Sequence, residues 1–357
     1  MKVLMQVFCK KTLTHMNADL TTNEKISYLR GLAIIAVVMN HYVIWNYSRS
    51  IEGFANGIVA FFFITSGYCV YKSLEKYTVF NINTVKRFLF KRFFRLYPLY
   101  LVSLVLYTVY LISKGAASYD LPSFMNFLAF PFYEAPRWYW FIPSLLQCYL
   151  IAPFLFLIIK KYGPLKTLTI ILTVMSITHI SYVIIGLPIT RSYFVYRFMF
   201  LSHLFIFSLS FCLSGINKDK FKLLSGNASL FISFLVFLSM VYLTRVNNMI
   251  FNNSALFAAP LFVLSTFLLM LCTLNNDIVL PFKKIINILG NYSYPVYLFH
   301  FFYFYLLDKF GLITHGNTKS MIFTLILSPI FLLACVAIEK STKSMVAKFT
   351  GTFLEAR

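Results

Sequence analysis

An arginine and a histidine interrupt the first long apolar run of the chain. Arg30 and His41 are 11 residues apart, which on an α-helix leaves an angular offset of about 20° and an axial separation of roughly 16 Å. The spacing therefore predicts that both side chains lie on one helix face. A neutral imidazole there could take a proton from a hydroxyl or act as a nucleophile, and a guanidinium could bind an anion or stabilise an oxyanion.

The alternative for this pair is structural. A long basic side chain near a helix end can reach lipid phosphates, and a histidine can hydrogen-bond a neighbouring helix. However, placing an ionisable group inside a membrane-spanning helix costs free energy, so such groups are candidates for a functional site. The spacing alone leaves both interpretations open.

Two further arginines lie in the basic segment between the second and third apolar runs. Arg92 and Arg95 are three residues apart, so on a helix they would face the same way and could form a two-guanidinium clamp for phosphate. The alternative is that they only anchor the chain by the positive-inside rule.

Other polar residues occur within or at the ends of later apolar runs. Gln147 lies seven residues after Trp140, about two helical turns away on the same face. Ser66 is followed by a glycine, and such a small pair permits close approach between helices. His300 lies in the ninth run, and Glu339 ends the tenth.

Two more histidines, His179 and His203, are also surrounded by apolar residues. No spacing pairs either of them with another polar side chain, and we interpret both as structural. The six cysteines are far apart and five lie within apolar runs, so neither a disulfide framework nor a metal site is predicted.

The elements that must position these residues are membrane helices. Of the 357 residues, 59% are hydrophobic and only 12% charged, and the mean hydropathy is +0.76, far from the balance of a soluble domain. We therefore predict an all-α, polytopic integral membrane protein with about ten transmembrane helices. The apolar stretches fall approximately at 29–47, 54–71, 96–113, 138–159, 167–186, 194–214, 228–244, 254–274, 290–308 and 320–339.

The charge pattern predicts how this protein is oriented. The net charge is +21, and the basic residues lie in the gaps between apolar runs, with about 23 on the side of the N-terminus and about 8 on the other. This bias predicts that both ends are cytoplasmic, and it argues against nucleic-acid binding, which needs basic residues on one face. We predict a cytoplasmic segment at 1–25, a membrane domain at 26–340 and a cytoplasmic tail at 341–357.

The order and spacing of these motifs resemble the acyltransferase 3 family of membrane O-acyltransferases, from about Ile26 to Glu339. Each segment alone would be weak evidence for the resemblance, but their combination is specific. Ile26–Ala33 followed by His41 is similar to the family's first helix, and the other segments resemble its FFxxSG, RxxR with a following YP, WxLxxxxQxYLxxP and SYxxYLxH motifs. These other segments are Phe62–Gly67, Arg92–Pro98, Trp140–Pro153 and Ser293–His300.

The resemblance implies an activity and a set of site residues. The domain at 26–340 would transfer an acyl group, usually acetyl, from a cytoplasmic acyl-CoA to a hydroxyl of a cell-surface polysaccharide or lipid-linked glycan, with no bound cofactor. His41 would act as general base or carry the acyl group covalently, and the sequence does not decide between these routes. The implied catalytic residues are His41 and Arg30, the donor-binding residues Arg92 and Arg95, and the supporting residues Ser66, Trp140, Gln147, His300 and Glu339.

The sequence also departs from the family pattern. Many relatives have a pair of glutamates just before the matched glutamine, where this chain has Leu145-Leu146. Many also carry an extracytoplasmic domain after the last helix, whereas this sequence ends at Arg357. We expect the membrane unit to act alone or with a separate glycan-assembly partner, in the plasma membrane of a bacterium, as the high Phe, Tyr, Ile, Asn and Lys content favours.

Two other functions compete with acyl transfer. A carrier or flippase for a lipid-linked sugar would also need a polar path such as the one that Arg30 and His41 could line. A structural subunit of a glycan-assembly complex could use the same polar residues only to join helices. A carrier would move its substrate without acyl chemistry.

Overall fold

The computed structural model describes residues 2–46, 52–77, 79–113, 141–184, 200–215, 226–250, 265–274, 281–313 and 318–355. Within these ranges the chain forms eleven helices and no strand, which confirms the all-α prediction. In chain order they are α1 Lys2–Asn46, α2 Glu52–Glu75, α3 Ile82–Ser113, α4 Phe141–Tyr162, α5 Pro164–Ile184, α6 Phe200–Leu213, α7 Asn227–Ile250, α8 Ser265–Leu274, α9 Lys283–Asn291, α10 Ser293–Lys309 and α11 Thr318–Glu355.

Several of these helices have the length and composition of membrane spans. Four described segments are long and apolar enough to cross a bilayer, and they are Thr22–Val43, Ile82–Tyr110, Phe141–Tyr162 and Lys319–Lys348. In the last of these, side chains such as Leu325, Ile326, Ile330 and Leu333 are at least 59% exposed. Contiguous apolar surface of this kind needs lipid around it. The chain is a polytopic membrane protein, and the number of ten spans stays a prediction.

The third span differs from its predicted bounds because α3 begins at Ile82 rather than near residue 96. Asn81 caps the helix, since its Oδ1 accepts a hydrogen bond from the Thr84 backbone N–H at 3.0 Å. The basic segment that carries Arg92 and Arg95 is therefore the first half of the helix. Pro98 lies inside the same helix.

The ninth predicted span, 290–308, contains a break. Helix α9 ends at Asn291 and α10 begins at Ser293, and Tyr292 between them has φ −104° and ψ 18°. The Ser293 hydroxyl donates to the Gly290 carbonyl at 2.9 Å. The sequence at the break, Gly290-Asn291-Tyr292-Ser293, contains residues typical of turns.

The chain divides into two compact units, and the first comprises Met1–Phe62, Lys218–Tyr297 and Thr314–Thr318. Its best-defined contact is the crossing of α1 and α9. Gly31 faces the Ile286 carbonyl and Gly290 faces the Ser27 carbonyl, each so closely that a Cβ atom would collide with backbone. Two backbones can approach this closely only where side chains are absent.

The second unit comprises Phe63–Asn217, Leu298–Ile313 and Lys319–Arg357. Helix α4 is at its centre and contacts α3, α5 and α6. The α4 side chains that face these neighbours are completely buried, and they include Ile142, Cys148, Ala152 and Phe156.

Candidate functional site

Helix α1 carries Arg30 and His41 in the first unit. The helix runs without interruption from Lys2 to Asn46. Arg30 and His41 therefore lie on one continuous helix, as their predicted shared face requires. Both side chains are partly exposed, whereas Asn40 and Tyr42 on either side of His41 are buried. The predicted catalytic roles stay predictions.

Contacts with later elements hold the part of α1 just before Arg30 in place. The Ser27 hydroxyl donates to Asn291 Oδ1 at 2.8 Å, beside the Gly290 crossing. The Tyr28 hydroxyl donates to the Pro281 carbonyl at 3.2 Å. Lys25 is buried, and its Nζ donates to the carbonyl of Leu274, the last residue of α8, at 3.2 Å. A cation at a helix C-terminus is stabilised by the helix dipole. Arg30 thus projects from a segment whose position is fixed on several sides.

The segment around Ser66 is a packing surface of the second unit. Gly67 lies against the Phe207 carbonyl of α6, too close to admit a Cβ atom. The Ser210 hydroxyl of α6 donates to the Ile64 carbonyl at 2.6 Å. Ser66 itself is 7% exposed. The small residues of this motif therefore set the distance between α2 and α6.

His203 of α6 lies next to the same motif. Its ring stacks on Phe63 with centroids 4.8 Å apart, and Phe63 also meets the edge of Phe141 at 4.9 Å. Our interpretation of His203 as structural was based on sequence spacing. Its contact with the motif residue Phe63 of α2 could be found only in the folded chain.

A groove of about 580 Å³ opens between α3 and α4 in the second unit. It brings together Arg92 and Gln147, which the sequence had placed in separate motifs. Most of its lining is apolar, with cations at Lys86 and Arg92 and polar groups at Gln147 and the tyrosines. The lining residues are Lys86, Leu89, Phe90, Arg92, Phe93 and Tyr97 from α3, and Leu146, Gln147, Tyr149 and Leu150 from α4.

Aromatic rings orient Arg92 in this groove. The guanidinium carbon lies 5.3 Å from the ring centre of Phe88 and 5.6 Å from that of Tyr149. Stacking on rings fixes the plane in which the guanidinium lies. Arg95, in contrast, is exposed and does not line the groove. The two arginines share helix α3, which is the condition under which they were expected to face the same way, and their joint action on one phosphate group stays a prediction.

The remaining predicted site residues have different environments. His300 on α10 is fully buried and lies between the rings of Phe301 and Phe304, at 4.4 and 5.9 Å. Glu339 is buried on α11, where its Oε1 pairs with Lys343 Nζ at 2.5 Å. Trp140 lies outside the described residues. In the part of the chain that the structure describes, no three His, Cys, Asp or Glu side chains are close enough to share a metal ion.

Sequence reasoning missed several residues of the groove. Lys86, Tyr97 and Tyr149 line it beside Arg92. Lys86, Phe90, Phe93 and Tyr97 follow one another at helical spacing along α3, so a helical reading of the basic segment could have placed them on one face. Nothing in the sequence indicated that Tyr149 of α4 would meet that face.

Comparison with known proteins identifies the family. The model of the acyltransferase 3 family, described as an acyltransferase domain, matches residues 23–340, which agrees with the motif order found from about Ile26 to Glu339. Neither the curated proteins nor the solved structures contain a significant match to the chain. Because the family model covers nearly the whole chain, the protein belongs to the acyltransferase 3 family and is a membrane acyltransferase.

Proposed function

We propose that the protein transfers an acetyl group from cytoplasmic acetyl-CoA to a hydroxyl of a cell-surface polysaccharide or lipid-linked glycan, at the plasma membrane of a bacterium. The observation that carries the proposal is the groove in which Arg92, Lys86 and Gln147 meet, in a chain of the acyltransferase 3 family. Arg92 and Arg95 bind the donor, His41 and Arg30 act on the reacting groups, and Ser66, Trp140, Gln147, His300 and Glu339 support them.

The groove has the chemistry that a coenzyme A thioester requires. Lys86 and Tyr97 are 11 residues apart on α3, which corresponds to roughly 16 Å along the helix. Lys86 and Arg92 supply positive charge for phosphates, and a guanidinium can bind two phosphate oxygens at once. The amide of Gln147 can hydrogen-bond the amides of the pantetheine arm, while Phe93 and Leu150 contact its aliphatic carbons. A basic entrance followed by an apolar path fits a donor that is charged at one end.

The transfer itself needs a base and a positive group that stabilises the oxyanion. His41 takes the proton of the acceptor hydroxyl as the oxygen attacks the thioester carbonyl carbon. The C–S bond then breaks, and the departing thiolate takes up a proton to give free coenzyme A. Arg30 stabilises the negative oxygen of the tetrahedral intermediate, a contribution that typically amounts to about 3 kcal/mol. In the alternative route, the His41 imidazole first accepts the acyl group and then passes it to the hydroxyl.

The proposed activity is tested by measuring O-acetyl groups on surface carbohydrate by NMR in cells that carry the gene or a deletion of it. We expect a discrete acetyl signal to disappear in the deletion strain and to return when the full-length chain is expressed. Unchanged acetylation together with lost glycan export would support a carrier and contradict the proposal.

Replacement of Arg92 by lysine is expected to weaken acetyl-CoA binding by about tenfold, because lysine keeps the charge but loses the two-pronged contact with phosphate. Binding of acetyl-CoA to the purified full-length protein, measured by titration calorimetry, checks this. Arg95→Lys should weaken binding less, since Arg95 is exposed and outside the groove lining.

Lys91→Gln is the matched control, because Lys91 is an exposed cation of the same helix that does not line the groove. Its donor affinity should equal that of the wild-type protein. Unchanged affinity in Arg92→Lys would reduce the arginine pair to a membrane anchor.

A further inference from the structure

The residue before His41 has an unusual environment. Asn40 is only 3% exposed. Among the residues that the structure describes, neither its Nδ2 nor its Oδ1 has a hydrogen-bond partner. Burying both groups of a carboxamide without partners costs free energy that an apolar side chain would not.

The surroundings of Asn40 on the helix make its polarity harder to explain by packing. Ala33, Val37 and Asn40 follow one another at helical spacing on one stripe of α1, and the first two are buried apolar residues. A leucine would continue this stripe. Asn46, six residues further on, uses its amide locally, since its Nδ2 donates to the Tyr42 carbonyl at 3.3 Å. Asn40 makes no such bond to its own helix.

We propose that Asn40 binds the acceptor, a carbohydrate, beside the hydroxyl that is acylated. This inference rests on the proposed function. A carboxamide carries an acceptor oxygen next to a donor nitrogen, which matches two neighbouring hydroxyls of a sugar better than it matches a single alcohol. Polar groups in a binding site stay unpaired until the substrate supplies the partners, and they reject analogues that cannot supply them.

The position of Asn40 along α1 suits the acceptor rather than the donor. With a cytoplasmic N-terminus, α1 enters the bilayer near Arg30, and Asn40 and His41 lie roughly 15 Å further along the helix, toward the outer half of the bilayer. Consecutive helical residues point about 100° apart, so Asn40 and His41 can contact different atoms of one sugar ring. Surface carbohydrate reaches this side of the membrane, whereas acyl-CoA is cytoplasmic.

The test replaces Asn40 with leucine in the full-length chain, expressed in the deletion strain. We expect O-acetyl groups on surface carbohydrate, measured by NMR, to fall by about 10- to 100-fold, in line with the loss of substrate hydrogen bonds in a buried site. Acetyl-CoA affinity of the purified protein should be unchanged, and its thermal unfolding temperature should be equal or higher. Asn40→Ala gives the same comparison if the leucine variant does not fold.

Ser208→Ala is the matched control. Ser208 is also completely buried, and within the described ranges its hydroxyl has no partner. Its removal should likewise preserve stability while leaving acetylation at the wild-type level.

Three results would overturn the inference. Full acetylation by the Asn40→Leu protein would exclude Asn40 as an acceptor-binding residue and would leave the proposed function unaffected. A lowered unfolding temperature with a matching loss of acetylation would make Asn40 a packing residue. A wild-type protein that binds acetyl-CoA but acetylates no carbohydrate would instead overturn the proposed function, and with it the acceptor role.

Discussion

Replacement of His41 by alanine is expected to lower acyl transfer by about 10²- to 10⁴-fold, the usual loss when a positioned general base is removed. The same change would be at least as damaging in the covalent route, because the imidazole would then be the acyl carrier. O-acetyl content of surface carbohydrate and turnover of acetyl-CoA by the purified protein both measure this effect. Acetyl-CoA binding should be retained, since the proposed donor contacts come from α3 and α4.

His41→Gln separates catalysis from packing. A glutamine can hydrogen-bond a neighbouring helix but cannot take a proton near neutral pH. If His41 only joins helices, the glutamine variant should recover much of the activity that alanine loses. We expect both variants to be inactive and folded. A folded His41→Ala protein with full acyl transfer would exclude the catalytic role.

The two chemical routes through His41 can be distinguished with the wild-type protein. Incubation with acetyl-CoA in the absence of acceptor would add an acetyl group to the chain in the covalent route, which intact-protein mass spectrometry detects. In the general-base route the mass of the chain would not change.

The second large effect is expected on stability. Gly290→Ala should lower the free energy of unfolding by about 3 kcal/mol, at the upper end of the range for overpacking a well-packed contact. The added Cβ would meet the Ser27 carbonyl and the backbone nitrogen of Gly31, and neither backbone atom can move without shifting α1. The gain in helix propensity from glycine to alanine is about 1 kcal/mol, too small to offset the clash.

Asn291→Ala is the control for this crossing. It removes the hydrogen bond from the Ser27 hydroxyl but adds no atom between the helices, so the expected loss is about 1 kcal/mol. Thermal unfolding of the purified full-length protein compares the two variants. Equal stability of Gly290→Ala and the wild-type protein would mean that α1 and α9 do not depend on this close approach.

Some features of this protein follow from the sequence alone. Apolar composition and the length of the apolar runs predicted membrane helices, because a backbone in hydrocarbon must satisfy its hydrogen bonds internally. The shared helix of Arg30 and His41 followed from the first apolar run, and their shared face was predicted from their spacing along an α-helix. The motif order from Ile26 to Glu339 identified the family, which the family model confirmed.

The boundaries of the helices were harder to predict from the sequence. The structure extends α3 back to Ile82 and separates α9 from α10 at Tyr292. Charged residues look like a gap between spans even when they are helical, because hydropathy reports the solvent around a segment rather than its backbone conformation. The break at Tyr292 has turn-forming residues, Gly290, Asn291 and Ser293, but they were included in the ninth predicted span.

Only the tertiary structure brought distant residues together. It placed Gln147 and Tyr149 of α4 beside Arg92 of α3, His203 against Phe63, and Asn40 in a buried position without a partner among the described residues. In a soluble protein the apolar face of a helix predicts which side is buried. In a membrane the lipid is as apolar as the core, so the sequence determines that these helices form and cross the bilayer, while packing alone determines which faces meet.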